Sequence, residues 1–173
     1  MKKTKKPLSY QLLASSRILG VDPGYGRIGI AILEKSGQNN KLIYSECFET
    51  DPKLSHSKRL LALSQKIEMV IDYHKPNEMA VETLLFNKNQ KTALQVAEAR
   101  GVILNEGAKR NLVIKEFNPN QIKLAITGYG KSDKRQIIDM IHKILKIEKK
   151  KHDDEYDAIA IALTCGAMRN YTF

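Results

Sequence analysis

The chain has 173 residues, 42% hydrophobic and 28% charged, which suits a single domain with its own core. Its net charge of +10 at pH 7 disfavours cationic partners and favours polyanions, nucleic acid first among them. No apolar run approaches the roughly 20 residues of a membrane-spanning helix, and Cys47 and Cys165 have no neighbours at metal-ligand spacing, so a cytoplasmic protein with reduced thiols is expected.

The chain opens MKKTKKPLSYQLLASS, a basic stretch whose apolar part is too short and too interrupted for a secretory signal. Residues 1–17 therefore read as a basic, flexible extension, and residues 18–173 as one domain. Ile18 to Val21 is a short apolar run stopped by Asp22-Pro23-Gly24, the pattern of a buried strand ending in a turn. Ile28 to Leu33 and Lys41 to Phe48 follow closely enough to form an antiparallel meander with it. The period then changes. Leu60, Leu63, Ile67, Val70 and Ile71 recur at helical spacing, with Ser55 or Ser57 before them and Pro76 after.

Met79 to Val81 predicts a short strand that ends on Glu82. A helix is expected over 89–109, a strand over Leu112 to Phe117, and a helix opened by Asn118-Pro119 that closes near Gly128. Gly128, Gly130 and Lys131 suggest a flexible basic loop. Ile137, Ile138, Ile141 and Leu145 mark another helix, and the last runs from about Asp154 to Met168. The order β-β-β-α-β-α-β-α-α-α predicts an α/β fold: a five-stranded mixed sheet, three strands in an antiparallel meander plus two parallel strands, flanked by helices.

Acids stand at the ends of these elements. Asp22 and Glu82 close two strands; if those strands run parallel, both side chains emerge at one sheet edge. Asp154 and Asp157 are spaced i, i+3 on one face of the last helix, whose continuation AIAIALTCGAM is apolar nearly all round and so buried. Each acid alone has a structural reading: Asp22 as a turn residue, Glu82 as a surface carboxylate, Asp154 as part of a helix N-terminus. Their shared position at the ends of buried elements points instead to a metal centre. Four carboxylates suit hard cations such as Mg2+, with Mn2+ as a substitute, and two such ions serve phosphodiester hydrolysis.

The segments ILGVDPG (18–24), AVETLLFNKN (80–89), QVAEARGVIL (95–104) and DEYDAIAIAL (154–163) together resemble the RuvC family of Holliday-junction resolvases. The resemblance implies a ribonuclease H-like fold and a homodimer formed through the AEARG helix. It implies a Mg2+-dependent endodeoxyribonuclease that resolves four-way junctions by paired symmetrical nicks in recombination and repair, with a branch-migration helicase complex as a further partner. By motif position it makes Asp22, Glu82, Asp154 and Asp157 the catalytic metal ligands. Lys123 and Lys134 match basic positions that serve the scissile phosphate and the DNA backbone. Lys88 and Lys131 are placed to meet DNA. Leu85 stands where many members carry an aromatic residue, and Phe86 beside it offers a stacking face. The turn DPGYGRIG is one residue shorter than is usual for the family; in this it is closer to the YqgF family of RNA-processing nucleases, the alternative reading. His152, beside the acids, reads as a surface histidine.

Overall fold

A computed structural model describes residues 15–84, 90–150 and 152–168. The strands are β1 (Ser16–Asp22), β2 (Arg27–Ser36), β3 (Asn39–Glu49), β4 (Glu78–Glu82) and β5 (Val113–Phe117). The helices are α1 (His56–His74), α2 (Gln90–Lys109), α3 (Pro119–Thr127), α4 (Lys134–Leu145) and α5 (Asp153–Met168). Element order matches the sequence expectation throughout. β1 starts earlier than its apolar run, because Ser16 and Arg17 pair with Lys35 and Glu34 across β2.

The sheet order is β3-β2-β1-β4-β5. β1, β2 and β3 form the antiparallel meander, and β1-β4 and β4-β5 pair in parallel. The period-2 alternation of a strand divides the core in two. Leu19, Val21, Ile28, Ile30, Ile32, Met79 and Val81 face α1 and α2, where Leu63, Ile67, Val70, Ile71, Ala99 and Ile103 meet them. Ile18, Ala31, Leu33 and Ala80 face α5, with α3 and α4 completing that layer. Fully burying one such Ile or Leu contributes roughly 1.5–3 kcal/mol, so both layers hold the sheet firmly.

Local signals set the helix ends. Asn118 and Asp133 each accept a hydrogen bond from the backbone N–H three residues on, and Gln121 and Gln136 reciprocate, giving two capping boxes. Gly128 closes α3 at φ 75°, where a Cβ is disfavoured. α1 ends one residue before Lys75, ahead of Pro76. The 128–133 loop is more tightly held than its glycines suggest. Thr127 and Ser132 hydroxyls bond at 2.5 Å, and the buried Ser132 also bonds the Tyr129 carbonyl, so these hydroxyls pin it.

α5 sits unusually close to the sheet, and two glycines permit this. A Cβ on Gly20 would strike the Ala158 carbonyl oxygen, and one on Gly29 would strike the Asp154 carbonyl oxygen. The helix therefore rests backbone to backbone on β1 and β2.

Candidate active site

Strand parity and that close contact assemble four acids. Asp22 follows Ile18 and Gly20 on the face of β1 that α5 covers, and Glu82 follows Ala80 on the same face of β4. Val21 pairs with Val81 in parallel register, so Asp22 and Glu82 lie side by side at the carboxyl ends of adjacent strands. α5 begins above them, and Gly29, which pairs with Asp22, touches the Asp154 backbone. Asp154 and Asp157 thus reach the site from the first turns of a buried helix.

The four charges act on one another. The Asp22 carboxyl is held well above the usual aspartate range, first by burial and then by the negative charges of Asp157, Glu82 and Asp154. Burial and Asp157 push Glu82 from 4.5 to about 7, against the pull of Lys123. Burial also raises Asp157, although a hydrogen bond from Lys134 opposes it.

Such a cluster requires positive charge, and the protein supplies part of it. Lys134 Nζ donates to Asp157 Oδ2 at 3.0 Å and lies 3.4 Å from Asp153 Oδ2. Arg27 Nε lies 3.5 Å from Asp154 Oδ2. Burial disfavours the Lys134 charge, yet the bond to Asp157 and the charges of Asp157 and Asp153 raise its pKa overall. All four converging side chains are carboxylates, and three of them resist ionisation. That donor set fits a hard divalent cation, which would relieve the repulsion among them.

The model for crossover junction endodeoxyribonuclease RuvC matches residues 18–165, which span every segment contributing to this site. The chain belongs to the RuvC family. The RuvC of Petrotoga mobilis is 47% identical over 153 residues, 88% of this chain and 94% of the relative. That of Thermosipho melanesiensis is 43% identical, covering 84% of this chain and 94% of its own. Among solved structures, Thermus thermophilus RuvC superposes with TM-score 0.82 at 26% identity, over 89% of this chain and 95% of that one. The same RuvC in complex with a Holliday junction substrate gives 0.81 at 26% identity, over 86% and 92%. The yeast mitochondrial Holliday junction resolvase, at 15% identity and TM-score 0.67 over 90% and 81%, shares the fold.

The structure brings Asp22, Glu82, Asp154 and Asp157 together, with Lys134 bonded to Asp157 and Lys123, on α3, within electrostatic reach of Glu82. Lys131 is exposed in the loop before α4. Leu85, Phe86 and Lys88 lie outside the described residues. Sequence reasoning missed Arg27 and Cys47, which both contact Asp154; Cys47 does so through its Sγ at 3.7 Å. Parity was the available signal: Cys47 pairs with Gly29 across β2, on the α5 side of the sheet. It also missed a chain fixing the short turn after Asp22. Tyr25 Oη bonds His56 Nδ1 at 3.0 Å, His56 Nε2 meets Glu98 at 2.8 Å, and Arg59 stacks 3.8 Å over the Tyr25 ring.

Proposed function

We propose that this chain is a structure-selective DNA endonuclease that resolves four-way junctions by paired symmetrical nicks. The observation that carries the reading is the convergence of Asp22, Glu82, Asp154 and Asp157 at one sheet edge in a member of the RuvC family. These four would hold divalent cations, Mg2+ in the cell and two per site, which when bound supply an activated water and stabilise the leaving oxygen.

The chain's own residues define the rest. Asp22 and Glu82 are fixed by the sheet, so half of the donor set is rigid before any ligand arrives. Lys134 neutralises Asp157 in the free protein and is the cation best placed to grip a phosphate beside the acids. Lys123 and Lys131 extend the positive surface along a DNA strand, and Lys88 and Phe86 are assigned to DNA contact from the family resemblance and their place in the sequence alone. Resolution requires two such centres acting across one junction, which a homodimer supplies. α2 presents Leu94, 71% exposed, and Gly101, around which there is open space, and so has room for a second copy.

The test is nicking of a mobile four-way junction by the full chain with Mg2+, with duplex DNA and structured RNA as competing substrates. Paired nicks confined to the junction, absent from Asp22→Asn, are expected. Cleavage of RNA in preference to junction DNA, or nicking that survives Asp22→Asn, overturns the reading.

A further inference from the structure

A second set of ligating atoms lies beside the acids, and its chemistry differs from theirs. Cys47 and Glu49 are two residues apart on β3 and so share one face of that strand. His152 immediately precedes α5. The Cys47 sulfur, a Glu49 carboxylate oxygen and a His152 ring nitrogen all lie within 4.8 Å of one another. Donors around a tetrahedral ion at metal distances of 2.0–2.3 Å stand about 3.3–3.8 Å apart, so a small rotation of these side chains closes the set. One sulfur, one nitrogen and one oxygen favour a borderline-soft ion such as Zn2+ or Co2+; Mg2+ prefers oxygen alone.

A further oxygen, from Asp154, lies beside Cys47 but outside the set within 4.8 Å, and would have to swing in as a fourth donor. The Cys47 thiol already approaches Asp154 Oδ2 at 3.7 Å, and Arg27 holds that same oxygen at 3.5 Å from its Nε. We propose that Cys47, Glu49 and His152 form a binding site for a Zn2+-class ion that recruits Asp154 as its fourth ligand. On binding, the Cys47 sulfur–hydrogen bond gives way to a sulfur–metal bond, the proton passes to solvent, and Arg27 yields its place. Because Asp154 also belongs to the carboxylate centre, the two ions compete for one side chain. Zn2+ then inhibits the nuclease while Mg2+ remains abundant. This second part rests on the function proposed above; the site itself does not.

The test uses the full chain titrated with Co2+ alone and read by absorbance. A thiolate-to-cobalt charge-transfer band in the near ultraviolet, saturating at one ion per chain and erased by Zn2+, is the expected result. Cys47→Ser abolishes the band, and His152→Ala weakens Co2+ affinity by about tenfold or more. No such band, or one that persists in Cys47→Ser and so arises from Cys165, overturns the site. Junction nicking in Mg2+ is then followed as Zn2+ rises, each variant measured against its own Zn2+-free rate. Half-inhibition is expected to need about tenfold more Zn2+ in both variants than in the parent chain. Equal inhibition of all three proteins overturns the sharing of Asp154. A chain that nicks nothing strikes the nuclease reading and leaves the cobalt band to decide the site.

Discussion

Two acidic regions of this protein are treated in opposite ways. Between α1 and α2, Glu106 is buried, with its side chain 3% exposed, yet it is fully partnered. Arg110 Nη1 meets it at 2.7 Å, Lys109 Nζ at 2.9 Å and Ser64 Oγ at 2.8 Å, and Arg110 continues to Glu68 and Asp72. Burial works against its charge, but these donors hold the Glu106 carboxyl below the usual range. At the far ends of β1 and β4, burial acts on Asp22 and Glu82 in the same way, and the nearest charges are mostly negative. The comparison separates a carboxylate that stabilises the fold from one kept in want of a cation. Burial alone does not distinguish them; the sign of the surroundings does.

Substitution should sharpen that contrast. Asp22→Asn is expected to lower junction nicking by on the order of 10³-fold, in single-turnover gel assays. The same change removes a charge the fold resists, so the melting temperature of the metal-free protein should rise, on the order of 2–4 °C. A fall in melting temperature would mean that Asp22 is a structural acid after all. Gly29→Ala drives a methyl group against the Asp154 carbonyl, and overpacking of this kind costs about 1–3 kcal/mol in urea unfolding. It should also abolish nicking, because α5 must lift and carry Asp154 and Asp157 with it. Glu106→Ala leaves Arg110 and Lys109 facing a vacated site and should cost about 2–3 kcal/mol, with the nicking rate per folded molecule retained.

The smallest effect is the most diagnostic. The folded-state pKa of Glu82 is raised from 4.5 to about 7, so the folded protein holds that proton more tightly than the unfolded chain does. Its contribution is most favourable below pH 4.5 and is eroded as pH rises to about 7. Glu106 has the opposite sign: its contribution is present above pH 4.5 and is lost as pH falls through its lowered value. Unfolding measured against pH without divalent cations should therefore show Glu82→Gln relatively more stable towards neutral pH and Glu106→Gln relatively less stable there. Curves displaced in the same direction would collapse the distinction. Adding Mg2+ should raise the melting temperature of the parent chain and leave Asp22→Asn nearly unmoved.

Much of this was legible from the sequence because the informative signals were local. β-branched runs cut by Pro-Gly or Asn-rich turns gave β1 to β3, helical spacing gave α1 and α4, and a run apolar nearly all round behind an acidic start gave α5. Asp22 and Glu82 could be paired because one parallel crossover places two strand ends together. Asp154 and Asp157 could be paired because i, i+3 is a fixed helical relation. What stayed hidden depends on approach between distant segments. Cys47 and His152 lie on separate elements and meet only because β3 and the start of α5 flank Gly29. Cys47 has Glu49 two residues on, but one shared strand face does not announce a metal site until His152 is brought beside it. The Arg27 contact with Asp154 and the Lys134 contact with Asp157 were hidden for the same reason, since side-chain reach across a layer has no period along the chain.

The seat of α5 on Gly20 and Gly29 has a mechanical consequence. A helix separated from a sheet by large side chains can slide as they change rotamer. One resting on bare backbone has no such slack. The two acids at its start therefore inherit the stiffness of the central strands, and their spacing from Asp22 varies only as much as the sheet itself deforms. Backbone amides of α5 beyond its first turn should exchange with deuterium only on global opening, at the slow limit for the molecule. In this protein, accuracy of aim comes from two missing methyl groups.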